Sequence, residues 1–554
     1  MATYSTAIPA TDPKQPSTLA KDFQYFHMLQ ANRINWDWMW QRIADYTIPI
    51  RGDYVVTRFP GQRRDQDIYD TTATWANEQL SAGLHTLLTT QALPWFFLGT
   101  RESEVQNNQE VQIWLADTQA RIYQIFNDPG SHFQAQIHEQ YLDLGAFGTG
   151  ILDVQYDKGV KFHNRFLGEC YMAQTHWGVI DTMFRAFALP FHRILQVFGE
   201  ENLPQKFVQD HKDPFSMHMV LHVCVPEDSK WASRYYLINE RALIKEGSFK
   251  QFPYITPRWS HSNVEHYGRG PAIACFADIL MVNEMKRTML RAAHMAVDPP
   301  LLVPDGGGFM QPIMLQPRAI NYYDTSIPGE IKYLKSENNF QIGEKMMQDV
   351  QDAIVRAFYV DMLQLPGGMM PGAKNQNTYM TATEATIRRE NAMRVMGPIT
   401  SRLQGEMLGP LITKVYSILL QQRSLEPFPQ VAKTANVEIA YVSPLSIAQA
   451  GAEVDNWTRF MAQVQPLAAI DPTVLDSINM QEVAPYLAGR YHLAPRLILT
   501  SQQVAAKVKA REQAQQQQQQ AQTQQIQQDA NLKNAKYNTE RSKQMDAMSG
   551  APAQ

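Results

Sequence analysis

The residues that first suggest chemistry form a short glycine turn, Gly268-Arg269-Gly270-Pro271, which precedes a long segment rich in apolar side chains. A glycine turn at the start of a helix can bind phosphate, because the first helical N–H groups are unpaired and the helix dipole favours anions. This turn lacks the third glycine of a dinucleotide-binding motif, a nearby P-loop lysine and a following βαβ pattern. We therefore interpret it as a helix start, with a phosphate-binding enzyme as the alternative.

A second group of candidates lies in the stretch MHMVLHVCV, where His218, His222 and Cys224 face away from a row of apolar residues. This alternation predicts a β-strand with two distinct faces. Imidazole and thiolate groups bind transition metals, but the sequence offers no fourth ligand nearby. The second face of a sheet is the preferred interpretation. Because the motifs of P-loop enzymes, zinc proteases and serine hydrolases are missing too, we predict no catalytic residue, no metal and no cofactor.

Two predicted helices, Pro271–Val297 and Ile342–Leu363, each carry a stripe of polar side chains with mixed charge. The stripe residues recur three or four positions apart, which places them on one helix face. They are Glu284, Arg287, Arg291 and His294 on the first helix, and Lys345, Asp349, Asp352 and Arg356 on the second. The opposite face of the second helix carries Met346, Val350, Ile354 and Phe358. A stripe of mixed charge is solvated, and the sequence leaves open whether it faces bulk water or a water-filled channel.

The elements that must position these residues begin with a helical N-terminal part. Apolar periodicity predicts helices at about Ser17–Tyr46, Thr72–Leu88, Glu110–Phe126 and Ser131–Leu144. From Gly159 to Thr256 the pattern changes to strands. Trp36, Trp38 and Trp40 crowd the first helix. We expect them in the core or at a subunit contact, with base stacking as the alternative.

The central part of the chain combines long helices with segments rich in proline and glycine. Residues 298–341 lie between the two striped helices and are predicted to form a small β-rich module. A loop, Pro366–Thr378, follows the second of these helices. A capping box at Thr381 and Glu384 then starts a very long helix. Within it, Gly397-Pro398 and Gly409-Pro410 should each bend the helix, because proline removes a backbone hydrogen bond.

The C-terminal segment 502–549 is rich in glutamine and contains neither proline nor glycine. Its low complexity is typical of disorder, whereas glutamine and alanine favour helix. We predict a solvated helix that only neighbouring subunits order.

The composition of the 554 residues limits the classes of function. A net charge of −4 gives no global basic surface for nucleic acid, so any DNA contact must be local or weak. The three cysteines are far apart in sequence, so neither a zinc site nor a disulfide framework is indicated. No run of 18 apolar residues occurs, and we expect no membrane partner.

In its order of motifs the chain resembles the head-to-tail connector (portal) proteins of short-tailed bacteriophages. The resemblance covers about Phe23–Leu499 and rests on LPWFFLGT, GAFGTGIL, HYGRGPAIACFADILMVNEM and LPGGMMPGAKNQNTYMTATEATIRREN, followed by the long kinked helix. It implies a mainly helical α+β subunit of a ring at one capsid vertex, with wing, stem, clip and crown domains. Such a protein is a structural component of the virion, assembled in the host cytoplasm, and is not an enzyme.

The resemblance also implies where these domains lie in the chain. The wing would comprise residues 1–269 and 379–465, the stem helices 270–297 and 342–363, the clip 298–341, the tunnel loop 364–378 and the crown 466–554. Gly268, Gly270 and Pro271 would form the turn from wing to stem. The tunnel loop would present Pro366, Gly367, Gly368, Met369, Met370, Pro371, Gly372 and Lys374. The two charged stripes would then line the DNA channel.

The partners implied by the resemblance follow from this position. We expect a homo-oligomer of twelve subunits that surrounds double-stranded DNA without reading its sequence. The large terminase motor and the tail adaptor protein would dock on the clip. The major capsid protein and scaffolding or internal core proteins would surround the ring. A soluble helical scaffold that oligomerises through its glutamine-rich tail is the alternative from a different class, besides the phosphate-binding enzyme.

Overall fold

The computed structural model describes residues 18–91, 94–100, 108–210, 213–305, 314–324, 331–333, 340–363, 395–427, 429, 437–441, 457–464, 466, 483 and 501–548. The chain forms two compact units. The first contains Met1–Phe97, Thr118–Pro427 and Ile439–Leu445, and the second contains Leu98–Asp117, Phe428–Glu438 and Ser446–Gln554. The prediction of a mainly helical α+β fold is confirmed.

The N-terminal helices lie close to their predicted positions. Their bounds are α1 Thr18–Thr47, α2 Thr72–Leu88, α3 Gln109–Asn127 and α4 Phe133–Phe147, with strand β1 at Phe96–Thr100 between α2 and α3. Helix α4 runs three residues beyond its predicted end. It stops where Gly148 adopts a left-handed conformation with φ 75°, which glycine accepts without steric cost.

A five-stranded antiparallel sheet forms the β part of the first unit. Its strand order is β4-β5-β6-β7-β8, so each strand pairs with its neighbour in sequence. The strands are β4 Cys170–Gln174, β5 Ile180–Pro190, β6 Met217–Glu227, β7 Lys230–Leu237 and β8 Ala242–Phe249.

Each face of this sheet carries a buried core cluster. Phe23, Phe26 and Leu29 of α1 pack on one face, against Leu221 and Val223 of β6. Two short helices, α5 Phe191–Phe198 and α6 Gln205–Asp210, cover the other face. Their core residues Phe191, Ile194, Phe198 and Phe207 pack with Val220, Leu237 and Ile244. The prediction of continuous strands was therefore wrong for residues 191–210, where an amphipathic helical segment interrupts the β pattern.

Two smaller three-stranded sheets complete the first unit. One has the order β3-β2-β9 and contains β2 Leu152–Tyr156, β3 Val160–Asn164 and β9 Tyr254–Ile255. The other has the order β11-β10-β12 and contains β10 Leu301–Asp305, β11 Ile320–Asp324 and β12 Lys332–Tyr333. In the second sheet β10 pairs parallel with β11 and antiparallel with β12. The β-rich module predicted at 298–341 is thus confirmed.

The helices on either side of this module are each interrupted once. Pro271–Ala274 (α7) and Phe276–Val297 (α8) are separated by Cys275. Phe340–Ala357 (α9) and Val360–Leu363 (α10) are separated by Phe358 and Tyr359. The sequence predicted one continuous helix in each case.

Among the described residues after 394, the elements are helical apart from β13, Val437–Tyr441. A helical segment at 395–403 leads into a π-helical turn, Gln404–Leu408, and then into α11, Gly409–Gln421. In the second unit, residues 457–464 are helical and α12 runs from Ser501 to Met548. The helix predicted at 502–549 is present, and its ordering by neighbouring subunits stays a prediction. From residue 506 to 545 its side chains are all exposed within the chain.

Candidate functional site: the helix hairpin α8–α9

Helices α8 and α9 pack side by side as an antiparallel pair, which we call the helix hairpin. A Cβ placed on Gly343, near the start of α9, would lie 3.9 Å from the sulfur of Met289 on α8. Near the other end of the pair, Asn283 of α8 and Gln351 of α9 both bind the loop before α2. These contacts fix the relative register of the two helices.

The hairpin is anchored to that loop by side-chain amides. Asn283 is buried, and its Oδ1 accepts hydrogen bonds from the backbone N–H groups of Tyr69, at 2.7 Å, and Asp70, at 3.2 Å. Its Nδ2 donates to the carbonyl oxygen of Asp67, at 2.9 Å. Gln351 Nε2 donates to the Asp70 carboxylate, at 2.7 Å. Four hydrogen bonds therefore hold one end of the hairpin against residues 67–70.

The predicted stripe residues lie at the surface of the hairpin. On α8 the Arg287 guanidinium is half-buried, 3.4 Å from the Glu284 carboxylate and 5.7 Å from the centre of the Tyr69 ring. The other stripe residues are exposed; they are Glu284, Arg291, His294, Lys345, Asp349, Asp352 and Arg356. Four permanent cations and three carboxylates thus alternate over the two helices, and the surface has no strong net charge.

The apolar face of α9 begins one residue later than predicted. Met346 is 54% exposed, whereas Met347 is buried. The buried row continues through Ile354, Val355 and Phe358. Steps of seven, three and four residues within this row place its side chains on one face of a helix.

The predicted glycine turn lies in a tight backbone contact, which we call the glycine junction: Gly148, Gly268 and Gly270. A Cβ on Gly148 would overlap the backbone nitrogen of Gly270. A Cβ on Gly270 would lie 2.6 Å from the carbonyl oxygen of Leu144 and 2.7 Å from that of Gly145. The glycines are therefore required for space, since Gly270 itself has an ordinary φ of −87°.

The same geometry disfavours the phosphate-binding alternative. The carbonyl oxygens of Leu144 and Gly145 occupy the space next to Gly270, at the N-terminus of α7. These oxygens would repel an anion, and Pro271 has no N–H group to donate. Helix α7 is also only four residues long.

The tryptophans of α1 meet the glycine segment. Trp40 is fully buried, and its ring centroid lies 4.9 Å from that of Tyr267. Trp36 lies 5.6 Å from Tyr267, and the Arg269 guanidinium lies 5.1 Å from the Trp36 ring. Trp38 is 54% exposed. The expectation of a core role is confirmed for Trp40; the exposed Trp38 leaves a subunit contact or base stacking open as predictions.

The histidines of β6 are buried and hydrogen-bonded within the protein. His222 Nδ1 lies 2.7 Å from the Tyr254 hydroxyl, and Nε2 lies 2.9 Å from the Ser233 hydroxyl. Burial, together with the nearby charges of Arg185 and Arg165, lowers the pKa of His222 to about 3. Both ring nitrogens are thus engaged by hydroxyl groups. Among the described residues no group of three or more potential ligands is arranged to hold a metal ion.

Two helix irregularities near the hairpin were not specified by the sequence patterns. Tyr359, between α9 and α10, has φ 57°, which is uncommon for a residue with a bulky side chain. The π-helical turn Gln404–Leu408 precedes Gly409-Pro410. The predicted bend at Gly409-Pro410 thus takes the form of a wider turn, in which the Gly409 N–H donates to the carbonyl of Gln404.

Comparison with known proteins identifies the family. A model of the family described as "Bacteriophage head to tail connecting protein" matches residues 23–499. The chain belongs to this family. The match covers the helix hairpin, the glycine junction and both helix irregularities. The resemblance stated from the motifs is confirmed over the range for which it was drawn.

Two curated relatives of this connector family member span nearly its full length. The "Probable portal protein" of Bordetella phage BPP-1 is 28% identical over 504 residues, which are 87% of this chain and 89% of the relative. The "Portal protein" of Salmonella phage epsilon15 is 26% identical over 501 residues, covering 86% and 88%.

Solved structures of gene transfer agent (GTA) particles are also similar to the chain. A chain of the virion of the native particle is 12% identical, with a TM-score of 0.34, and the match covers 76% of this chain and 94% of that one. A chain of the native neck, computed with C12 symmetry, is 11% identical with a TM-score of 0.33, covering 76% and 95%.

Several expectations for this connector lie outside the described residues. These are the predicted tunnel loop, Pro366 to Lys374 and on to Thr378, and the capping box at Thr381 and Glu384. Across the described helices, none is both long and apolar enough to cross a membrane.

Proposed function

We propose that this chain is the portal subunit of a bacteriophage: a structural protein that forms a ring at one capsid vertex and conducts DNA during packaging and ejection. The observation that carries the proposal is the family match over residues 23–499. It is supported by two relatives named as portal proteins, each of which matches over more than four-fifths of both chains.

The surface of the helix hairpin is suited to a conduit. A channel must surround DNA without holding it, and each phosphate neutralised by lysine or arginine adds affinity and salt dependence. The exposed stripe alternates basic residues such as Arg291 and Lys345 with acidic residues such as Asp349 and Asp352. Repeated around a ring, this alternation avoids a deep electrostatic minimum. We assign the stripes to the channel wall.

The domain boundaries of the proposal follow the elements of the fold. We assign residues 270–297 and 342–363, with α7 to α10, to the stem, and the small sheet β11-β10-β12 to the clip, on which the terminase motor and the tail adaptor would dock. The wing contains the five-stranded sheet, the glycine junction and α11. The crown contains α12. By the resemblance we assign residues 364–378 to the tunnel loop, which would contact DNA late in packaging through Met369, Met370 and Lys374.

The experiment that tests the ring is negative-stain imaging of the purified full-length protein. The proposal expects annular particles with a central hole and about twelve-fold symmetry. A chain truncated at Gln513, which lacks most of α12, should still form rings. Loss of assembly in the truncated chain would favour the alternative of a scaffold that oligomerises through its tail. Monomers at all concentrations would contradict the portal assignment.

The channel assignment is tested by DNA binding of the assembled rings. Binding of random-sequence duplex should be weak and should decrease with salt along a shallow slope, because few phosphates are neutralised. The double variant Asp349→Asn and Asp352→Asn removes both carboxylates from the α9 stripe of each subunit and should tighten binding and steepen the slope. Asp210→Asn, on α6, is the control with an unchanged slope. Sequence-specific binding, or equal slopes for all three proteins, would contradict the assignment.

A further inference from the structure

The two helix irregularities converge on one dipeptide. Arg258 and Trp259 follow β9 and precede the glycine turn. The Trp259 ring lies 6.1 Å from the ring of Tyr359, the left-handed residue between α9 and α10. The Trp259 carbonyl accepts a hydrogen bond from Arg402, two residues before the π-helical turn, at 3.3 Å. Trp259 therefore contacts Tyr359 and the helical residue that lies just before the π-helical turn.

Arg258 binds the π-helical turn itself. Its guanidinium is almost completely buried, and it donates to both carboxylate oxygens of Glu406: Nη2 to Oε1 at 2.9 Å and Nε to Oε2 at 3.2 Å. The Arg258 backbone N–H also donates to Oε2, at 3.0 Å. Glu406 lies in the middle of the turn. Because a π-turn inserts one residue, a return to regular α-helix would rotate Glu406 by about 100° and break these bonds.

Tyr359 is held in its unfavourable backbone conformation by its neighbours. Phe358 and Val360, on either side, are fully buried. Leu363, at the end of α10, packs against Gly83 of α2, where a Cβ would approach it to 2.9 Å. A residue with a side chain at positive φ persists only when surrounding contacts determine it. Without them, Tyr359 would adopt right-handed geometry, and α9 would continue into α10 as one helix.

We propose that these irregularities form one coupled switch, in which Arg258-Trp259 links the backbone state of Tyr359 to the π-helical turn at Gln404–Leu408. In one state Tyr359 is left-handed, α10 rests on Gly83 and Glu406 binds Arg258. In the other state Tyr359 is right-handed, the Trp259 contact is lost, and residues 404–408 form regular α-helix. Neither segment changes without affecting the other, because both depend on contacts with the same dipeptide.

The coupling is tested by hydrogen exchange of the assembled full-length protein, comparing Tyr359→Gly and Tyr359→Ala with the wild type. Both variants lose the ring that contacts Trp259, so peptides covering 404–408 should exchange about five-fold faster in both variants than in the wild type. Only glycine accepts φ 57° without strain, so peptides covering 358–363 should exchange more slowly in the glycine variant than in the alanine variant. Unchanged exchange at 404–408 in both variants would overturn the coupling. Equal exchange at 358–363, or slower exchange there in the alanine variant, would overturn the left-handed state.

Two further variants make the test reciprocal and specific. Pro410→Ala restores the N–H group whose absence favours the π-turn, and it should speed exchange at 359–363. Lys158 has φ 52° in the turn between β2 and β3, so Lys158→Gly and Lys158→Ala form the matched control pair. These two should differ only near residue 158. A change at 404–408 in that pair as well would show that general stability, and not the proposed link, is being measured.

Discussion

The glycine junction and the helix hairpin are adjacent in the chain, yet different constraints select their side chains. At the junction, backbone atoms from residues 144–148 and 268–270 approach so closely that a single Cβ has no space. In the hairpin, α8 and α9 expose long charged side chains and bury few residues. Side-chain volume limits which residues fit at the junction, while solvation and charge limit which residues suit the exposed surface of the hairpin. Substitutions at the junction should therefore change mainly the stability of the fold, and substitutions on the hairpin should change mainly the charge of the surface.

The sharpest test of this contrast is Gly148→Ala. The new methyl group would overlap the Gly270 nitrogen, and the residue would also keep an unfavourable φ of 75°. We expect a loss of more than about 4 kcal/mol in the free energy of unfolding, measured by denaturant titration. The control is Gly247→Ala in β8, where the Cβ meets no atom within 4 Å. A Gly148→Ala protein as stable as the control would show that the junction is not tightly packed.

Within the hairpin, Asn283 should be an exception, because its substitution should lower the stability of the fold. Asn283→Ala removes three hydrogen bonds and leaves two N–H groups of the loop without their acceptor. We expect a loss of about 3 kcal/mol. Gln351→Ala removes one hydrogen bond to the same loop and should cost about 1 kcal/mol. If the two variants lowered the melting temperature by the same amount, Asn283 would not be the main anchor of the hairpin.

The buried charge of Lys414 tests how packing affects an ionisable side chain. Lys414 on α11 has one carbonyl partner, Gln251, at 3.0 Å, and burial lowers its pKa to about 8. A lysine pKa that is lower in the folded state than in the unfolded state destabilises the fold while both states are protonated. That penalty is fully present below pH 8 and disappears as the pH rises towards 10.5.

Lys414→Met should therefore stabilise the protein by about 2 kcal/mol at pH 7. The gain should shrink towards zero by about pH 10, as the wild-type lysine loses its proton. Unfolding curves at a series of pH values measure both quantities. A gain that does not depend on pH would indicate better packing and not the removal of a buried charge.

The smallest effect is expected on the exposed stripe. Arg291 is exposed and forms no ion pair with another described residue. Arg291→Ala should change the free energy of unfolding by less than about 0.5 kcal/mol. The same variant should make the salt dependence of DNA binding slightly shallower. A stability loss above about 1 kcal/mol would mean that the stripe is structural, and the comparison would fail.

Local patterns in the sequence predicted most elements of the fold. Helix α2 has its predicted bounds, and α1 is shifted by one residue, because apolar periodicity alone determines them. The helices at 191–210 were missed, since an eight-residue amphipathic segment between strands has too little length to dominate the β pattern. The surface position of the stripe residues could be predicted because the spacing of charged residues is visible in the sequence; their role in a channel stays a prediction.

Features that depend on distant parts of the chain could not be predicted in this way. The two glycines of the turn were noticed, but their partner Gly148 lies 120 residues earlier, and only folding brings the backbones together. Tyr359 is preceded by no glycine or proline that would mark a break. Its conformation is imposed by the burial of Phe358 and Val360. The Arg258–Glu406 pair likewise joins residues that no local motif connects.

The shared anchor of Asn283 and Gln351 has a consequence for how this protein can change over time. The chain departs from the loop at residues 67–70 along α8 and returns to the same loop along α9. The part of the chain between these two contacts therefore leaves the loop and returns to it at the same place. Mutation can lengthen it, shorten it or replace its small terminal sheet without displacing the rest of the subunit. The tip can thus change in sequence and length while the body of the protein is inherited unchanged.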